Sequence, residues 1–213
     1  MSTRRTFLAM GPGFLAYALV TELSMASATT SNRSARGWIA AQRELASALK
    51  SGTLSQTAWH DGVNSLAREL DLESLAAELR LARIKDAGVP FGNDPQKRFV
   101  STLDEAGQPI KLGYGLALFD FRENSVITPH AHRHMVSAHL VIDGKVRVRT
   151  FDRVRDEEGA LIIRPTEDMI AGPGHSAAMT TPRNNIHWFV PKTAQAMTLD
   201  IIIDGLIPEP IVI

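Results

Sequence analysis

The spacing of apolar residues changes near residue 90 and divides the chain into a helical part and a β-rich part. Between about residues 32 and 88 the apolar positions recur at helical intervals. Trp59, Val63, Leu66 and Leu70 lie at i, i+4, i+7 and i+11, which predicts one buried stripe on an amphipathic helix. This part therefore predicts a short all-α segment.

Turn and capping residues divide the helical part into three short helices. Gly52 and Gly88 are natural stops for the first and third helices. Thr53 followed by Gln56 predicts a capping box at the start of the second helix. We expect His60, on the second helix, to be a surface or packing histidine.

A Gly/Pro/Asn-rich break, "GVPFGNDP" at 88–95, precedes the change of period. Short β-rich runs separated by turn residues follow it, and such a series predicts a sandwich or barrel. The runs are "IKLGYGLALFDF", "SVITPH", "VSAHLVIDGKVRVRTFD", "ALIIRP", "SAAMTTP", "NIHWFV" and "AMTLDIII". Val146 and Val148 alternate with Arg147 and Arg149, which indicates a half-buried strand with a solvated face; the alternative is that one arginine binds substrate.

The first residues do not have the pattern of a globular core. Arg4 and Arg5 precede a weakly apolar run that continues to Val20, is interrupted by "GPG" and is too short to span a bilayer. Ala26-Ser27-Ala28 has the small-x-small pattern that signal peptidase cleaves. The segment resembles a twin-arginine export signal, which implies a periplasmic or extracytoplasmic protein that is exported already folded. The alternative is a basic N-terminus leading into an ordinary helix.

Composition and charge narrow the classes of function. The chain has 213 residues, of which 44% are hydrophobic and 22% charged, as in an ordinary soluble protein. The 23 basic residues equal the 23 acidic residues in number, so no global field favours nucleic acid or an anionic membrane. The chain has no cysteine, which excludes disulfides, thiolate metal sites and cysteine nucleophiles. Any metal must be held by histidine or oxygen ligands.

Four of the seven histidines lie within "TPHAHRHMVSAHLVIDG" at 128–144. Residues i and i+2 of a strand project from the same face, so His130 and His132 can chelate one ion. His187 begins another strand in "TPRNNIHWF" and can supply a third ligand. Neutral imidazoles suit iron, nickel, copper, zinc or manganese.

Two further histidines of this segment have open roles. His139 shares strand parity with Ser137, so we expect it to face inward, as a partner of a ligand, a proton carrier, a substitute ligand or a hydrogen-bonded core residue. His134 has the same strand parity as His130 and His132 but lies at a turn. We expect it at the rim of the site, and the alternative is that it is a metal ligand.

The two histidine segments resemble the motifs of the cupin superfamily. "PHAHRHMVSAHLVIDG" resembles the first motif, in which H-x-H is followed by four residues, a glutamate, six residues and a glycine. "PRNNIH" resembles the second motif, P-x-G-x-x-H, with Asn184 in place of the glycine. Cupins hold metal with two histidines and a glutamate from the first motif and one histidine from the second, but Ser137 stands at the glutamate position here. The resemblance therefore implies a site of three histidines, His130, His132 and His187.

Residues 112–204 are similar to the cysteamine dioxygenase and plant cysteine oxidase family of three-histidine thiol dioxygenases. The shared features are Pro-x-His-x-His, Met135, Val141, Gly144, Val148, Phe151-Asp152, "NIHWF" and the "LD" of "AMTLDII". Arg133 and His134 replace the family's Pro-Gly turn, one residue is inserted between His187 and Asp200, and the family's later Pro-Pro-Tyr is missing. These departures bear on the substrate more than on the metal.

The resemblance implies a mainly β fold, a cupin double-stranded β-helix (jelly-roll barrel) preceded by a short all-α extension. We therefore divide the chain into a twin-arginine signal at 1–28, a helical extension at 29–92 and a cupin barrel at 93–213. No stable membrane anchor is expected after cleavage of the signal.

The resemblance also implies the chemistry. It points to an Fe(II) dioxygenase that oxidises cysteamine, cysteine or a related small thiol to a sulfinic acid, with O2 as co-substrate and no nucleic-acid partner; nickel, manganese, zinc and copper are the alternative metals. Asp200 matches the family's aspartate and is a candidate for orienting the substrate amine or a ligand histidine, and His139 is the second catalytic candidate. Two other functions are open: a different metal-dependent cupin enzyme, such as another dioxygenase or an isomerase, and a non-catalytic cupin that binds metal or a small ligand.

The export signal leads to the first prediction. Replacing Arg4 and Arg5 together by Lys should leave the precursor in the cytoplasm, because the twin-arginine route reads the arginine pair and not its charge alone. Fractionation followed by N-terminal sequencing of the wild-type protein should find a mature chain that starts near Ala28. Unaffected export of the Lys-Lys variant, or a mature chain that starts at Met1, would support the ordinary-helix alternative.

Overall fold

The computed structural model describes residues 33–81, 94–104 and 106–207, all of which belong to one compact unit. Three helices come first and nine strands follow. The predicted signal at 1–28 lies outside the described residues, as do the predicted boundaries at residues 28 and 92. These three assignments stay predictions.

The helices are α1 (Ala35–Lys50), α2 (Gln56–Glu69) and α3 (Leu72–Glu78). Trp59, Val63, Leu66 and Leu70 are all buried, which confirms the predicted apolar stripe, and Trp38 of α1 is fully buried as well. None of the helices in the described part of the chain is long and apolar enough to cross a membrane.

The predicted capping box at Thr53 is wrong, because α2 begins two residues later. Ser55 is its N-cap, and the Ser55 hydroxyl accepts a hydrogen bond from the backbone amide of Ala58 at 3.1 Å. The Thr53 hydroxyl instead donates to the carbonyl of Ala48 at 3.1 Å, so it closes the end of α1. Both hydroxyl residues of the α1–α2 turn therefore bind a helix end. Ser55 caps the start of α2, and Thr53 caps the end of α1.

The β-rich part forms two antiparallel sheets that face each other, which confirms the mainly β, jelly-roll fold. The first sheet has the strand order β1-β2-β9-β4-β7 and the second the order β3-β8-β5-β6. The strands are β1 (Gln96–Phe99), β2 (Gly115–Arg122), β3 (Ile127–Ala131), β4 (Met135–Asp143), β5 (Val146–Glu157), β6 (Ala160–Ala171), β7 (Ser176–Met179), β8 (Ile186–Pro191) and β9 (Gln195–Asp204). The seven β-rich runs of the sequence account for β2 to β9, and β1 was not predicted.

The core lies between the two sheets, as the alternation in β5 predicts. Val146 and Val148 are fully buried and pack with Phe121 and Phe189. On the opposite face of β5, the Arg147 guanidinium donates to both carboxylate oxygens of Asp168, at 2.7 and 2.8 Å, and Arg149 contacts the same carboxylate. The solvated-face interpretation is therefore confirmed, and these arginines point away from the barrel interior.

Helix α2 packs on the barrel beside the turn that precedes β8. It lies against β7 and β4, and its Gln56 side chain accepts a hydrogen bond from the backbone amide of Thr181 at 2.8 Å. Asp61 forms an ion pair with Arg183 at 3.1 Å. The His60 Nε2 lies 3.3 Å from the Asn184 amide nitrogen, while its Nδ1 lies 3.0 Å from an Asp61 oxygen. His60 is thus the packing histidine that the sequence indicates, and it joins the helices to the barrel.

The contact of His60 with Asn184 predicts that protonation of His60 makes the stability of the protein depend on pH. Burial lowers the pKa of His60, with the Arg183 charge acting in the same direction and the Asp61 contact and the Glu167 charge opposing it. The folded state therefore prefers neutral His60, whose Nε2 accepts from Asn184. The unfolded state binds this proton first as the pH falls, so the contribution of His60 is present above about pH 6.5 and is lost below it.

The measurement is urea unfolding of the wild type and His60→Gln between pH 8 and pH 5. Glutamine can still accept from Asn184 but does not titrate, so the wild type should lose more unfolding free energy on acidification than the variant does. Other buried groups are common to both proteins and cancel in the comparison. Identical pH dependence in the two proteins would show that His60 does not hold the neutral form.

Candidate metal centre

Two strands of the second sheet bring three histidines to one point. His130 lies on β3 directly opposite His187 on β8, and His132 follows at the end of β3. Their ring centroids are 4.2 Å apart for His130 and His187, 4.8 Å for His130 and His132, and 5.2 Å for His132 and His187. One nitrogen of each ring lies within 4.8 Å of the other two. The predicted ligands are thus brought together, and their role as ligands stays a prediction.

Hydrogen bonds to the main chain orient this cluster. The Nδ1 of His130 lies 2.8 Å from the carbonyl oxygen of Thr128, so a proton on Nδ1 leaves Nε2 as the ligand atom. The Asn185 side-chain amide donates to the carbonyl of His132 at 2.7 Å and to that of Thr180 at 3.2 Å. Asn185 therefore ties the end of β3 to the turn that carries His187.

The three rings lie at different depths. His187 is buried, His132 is half-buried and His130 is exposed, so the cluster extends from the core to the surface. Burial, together with the charges of His130 and Lys97, lowers the pKa of His132 to about 4. Burial, with the neighbouring histidines, holds the pKa of His187 well below its usual range, against a hydrogen bond with the Asn185 backbone. Both rings are therefore neutral near pH 7, the form in which imidazole binds metals.

The donor set fits one divalent transition metal held by nitrogen. Within residues 33–81, 94–104 and 106–207, these three side chains are the only group of three or more His, Asp or Glu residues placed to share an ion. Ser137 is buried and its hydroxyl has no hydrogen-bond partner within the described residues. His134 lies outside the cluster, exposed, with its Nδ1 3.4 Å from the carbonyl of Leu206. Neutral nitrogen ligands suit iron, nickel, copper, zinc or manganese.

The two predicted catalytic residues lie side by side behind the cluster. His139 on β4 pairs directly with Asp200 on β9, both are buried, and the His139 Nε2 lies 3.5 Å from an Asp200 oxygen. The His139 Nδ1 lies 2.9 Å from the Thr198 hydroxyl, and the His139 ring lies 6.4 Å from that of His187. The inward orientation that the parity of Ser137 predicts for His139 is confirmed. A catalytic role for either residue stays a prediction.

The His139–Asp200 pair is neutral rather than an ion pair. Burial, with smaller effects from Lys97, His130 and His132, lowers the pKa of His139 to about 3. Burial raises the pKa of Asp200 to about 8, against the Lys97 charge and a backbone hydrogen bond from Ala138. His139 and Asp200, which lie behind the histidine cluster, are therefore polar groups without a net charge near pH 7.

Aromatic rings close the inner side of the site. Phe119 lies 5.0 Å from the ring of His139, and Phe189 lies 4.6 Å from His139 and 5.7 Å from His187. These rings separate the histidines from the apolar core between the sheets and keep water from that side.

The glycine position of the second motif has a structural explanation. Asn184 has a φ of 54°, the left-handed region that favours glycine and that asparagine adopts more readily than other residues. Its backbone amide donates to Asp152 at 2.8 Å, and its side chain reaches His60 and the Ala178 carbonyl. Asparagine thus keeps the turn before His187 and adds the contact with α2.

Three residues around the site were missed in the sequence. Asn185 and Thr198 act through tertiary contacts, and Lys97 lies on β1, a four-residue strand without an apolar run. Lys97 is the one of the three that leaves a signal in the sequence, since "QKRF" alternates and places Lys97 and Phe99 on one face.

Comparisons with known proteins assign no family to this chain and find only weak likenesses among solved structures. No protein-family model and no curated protein matches the sequence. KdgF from Halomonas sp. is 19% identical over 54% of this chain and 82% of its own, with a TM-score of 0.36. A cupin superfamily protein from Desulfitobacterium hafniense DCB-2 is 16% identical over 56% of this chain and 83% of its own, with a TM-score of 0.34. A hydroquinone 1,2-dioxygenase is 18% identical over 45% and 61% of the two chains, with a TM-score of 0.35. Likenesses of this size carry no weight for function, and the jelly-roll fold is established by the chain's own strand order.

The cluster predicts that metal binding requires all three histidines. Replacing His130, His132 or His187 by Ala should lower the affinity for one metal ion per chain by more than about 100-fold, because two remaining imidazoles chelate poorly. Competition with a chromophoric chelator, together with metal analysis of the purified protein, measures this affinity.

Ser137→Ala and His134→Ala are the matched controls, since each removes a neighbouring polar side chain outside the cluster. Both variants should keep the wild-type stoichiometry and affinity. Tight binding that survives the loss of His187 would show that the ligand set is different.

Proposed function

We propose that this protein is a metal-dependent cupin enzyme, and specifically an iron(II) thiol dioxygenase that converts a small thiol and O2 to a sulfinic acid. The observation that carries the proposal is a cluster of three histidines that, within the described residues, includes no Asp or Glu. Ser137, which is buried on β4, stands at the sequence position where the cupin motif has its glutamate ligand. The similarity of residues 112–204 to the three-histidine thiol dioxygenases supports the same choice.

The charge of the site favours a thiolate as the bound form of the substrate. Three neutral imidazoles leave the full charge of a divalent ion in place, whereas a carboxylate ligand would cancel part of it. The His139–Asp200 pair adds no negative charge near pH 7, since burial raises the pKa of Asp200 to about 8. An anionic sulfur therefore meets an attractive field and no repelling carboxylate.

Iron(II) bound by these histidines supplies the redox chemistry that lets triplet O2 react with a thiolate. The reaction balances without a further reductant, because the sulfur loses four electrons, O2 gains four, and both oxygen atoms enter the product as R–SO2⁻. The proton of the thiol is released when the thiolate forms.

The residues of the chain hold the reactants and shield them. The exposed ring of His130 lies at the open end of the cluster, through which a small thiol can enter. Phe119 and Phe189 exclude water from the inner end. The Thr198 hydroxyl fixes the Nδ1 side of His139, so that Nε2 faces the Asp200 carboxyl group. We assign His139 and Asp200 the positioning of one shared proton at the back of the site.

We also propose that the enzyme acts outside the cytoplasm. The support is the Arg4-Arg5 pair, the weakly apolar run and Ala26-Ser27-Ala28. Export of a folded chain allows the metal to be bound in the cytoplasm, before translocation, where the cell controls the metal supply. A chain without cysteine also has no thiol of its own to react in an oxidising compartment.

The proposal predicts oxygen uptake with thiols. Mature protein loaded anaerobically with iron(II) should consume one O2 per thiol with at least one of cysteamine, cysteine, 3-mercaptopropionate or a Cys-initiated peptide. With 18O2, mass spectrometry should find both labelled atoms in the sulfinic acid. His187→Ala should lower the rate by more than about 100-fold, whereas Ser137→Ala should keep most of it.

The anaerobic spectrum of the iron protein distinguishes a thiol dioxygenase from the two other functions, a different cupin enzyme and a non-catalytic binding protein. A thiol that binds should perturb the spectrum before oxygen is admitted. If no thiol does so and none is oxidised, the thiol dioxygenase proposal is wrong. Oxygen uptake with a substrate that has no sulfur would then indicate a different cupin dioxygenase, and tight ligand binding without turnover would indicate a binding protein.

A further inference from the structure

Lys97 lies on the inner face of the first sheet. It pairs with Phe119 across β1 and β2, and Phe119 pairs with Thr198 across β2 and β9. Directly opposed residues share one face of a sheet. Because Phe119 and Thr198 both contact His139, the Lys97 side chain is on the side of the sheet that faces the metal centre.

The edges of the two sheets place Lys97 beside the open end of the site. β1 is an edge strand of the first sheet, and β3, which carries His130, is an edge strand of the second. The short link from Arg122 to Ile127 joins β2 to β3, so both edges lie on the same side of the sandwich. Lys97 and His130 are both exposed there.

The ammonium group of Lys97 is held by aromatic rings and has no acidic partner within the described part of the chain. Its Nζ lies 5.1 Å from the ring centroid of Phe99 and 5.2 Å from that of Phe119. Such contacts orient a cation while leaving its hydrogen-bond donors available. Phe99 is 72% exposed, so this part of the contact with the Lys97 ammonium group lies at the protein surface.

The field of Lys97 reaches the site. Its charge contributes to the lowered pKa of His132 and of His139, and it opposes the raised pKa of Asp200. Among the described residues, it is the only lysine or arginine whose charge acts on these three groups. With a divalent ion bound, the open end of the site would combine that ion with one further positive charge, and among the described residues no carboxylate forms an ion pair with Lys97.

We propose that Lys97 is a specificity-determining residue that binds a carboxylate of the substrate, so that the preferred thiols are carboxylate-bearing ones such as cysteine or a mercapto acid rather than cysteamine. This inference rests on the proposed function, since it assumes that a thiolate binds at the three histidines. A ligand with a thiolate at one end and a carboxylate at the other matches the two positive charges. Cysteamine places an ammonium group beside Lys97 instead, and like charges repel.

The test compares 3-mercaptopropionate with 3-mercaptopropionamide, which has nearly the same shape but no negative charge. Anaerobic titrations of the iron(II) protein, followed by its visible spectrum and by calorimetry, measure binding without turnover. The wild type should bind the acid about tenfold more tightly than the amide, and the preference should fall with added salt. Lys97→Met should remove this preference, with a much larger loss of affinity for the acid than for the amide, and Lys97→Arg should retain most of it.

Lys145→Met is the matched control, because it removes the same charge from an exposed position in the β4–β5 turn. It should leave both affinities unchanged. Equal binding of acid and amide by the wild type, or equal losses for both ligands in Lys97→Met, would overturn the role of Lys97 while leaving the thiol dioxygenase in place. If neither thiol binds to the wild-type iron protein, the proposed function itself fails.

Discussion

The direct pairing of His130 with His187 across β3 and β8 is the constraint on which the site depends. Strand pairing fixes the distance between the two rings, and the alternation of side chains along β3 adds His132 on the same side. Antiparallel strands therefore create a nitrogen cluster from residues more than fifty positions apart. A shift of β3 by one residue would turn the histidines to the other face of the sheet, so the register has to be held.

The surroundings of this strand pair hold the register from both sides. Asn185 binds the main chain of His132, and Asn184 connects the same turn to His60 of the helical segment. The helices thus have a structural role in the site although none of their side chains belongs to the histidine cluster. The burial of His187 in the folded chain lowers the pKa of its ring and so keeps it neutral, which means that folding also prepares this residue for metal binding.

The β-rich half of the fold was predictable from local sequence patterns, whereas the jelly-roll class and the set of three histidines came from the resemblance to the cupin motifs. Short β-rich runs separated by turn residues located eight strands, and the H-x-H spacing selected two of the three rings that the structure brings together. The parity of Ser137 gave the inward direction of His139. Contacts between distant segments were not predictable in this way. The Asn185 side chain donates to the carbonyl of a residue 53 positions away, and Lys97 lies on a four-residue strand whose only signal is the short alternation of "QKRF". The predicted N-cap of α2 was wrong because Thr53 and Ser55 are both favoured N-cap types, and the sequence pattern of a capping box at Thr53 outweighed the better capping residue, Ser55.

The central claim is that one ion is held by three histidines without a carboxylate. X-ray diffraction from crystals of the iron-loaded protein, recorded on both sides of the iron absorption edge, locates the ion directly. The account predicts one anomalous peak per chain, with a nitrogen of His130, His132 and His187 each at about 2.1 Å and no Asp or Glu oxygen bound. A peak elsewhere in the chain, or an ion bound by a carboxylate in place of His187, would contradict it.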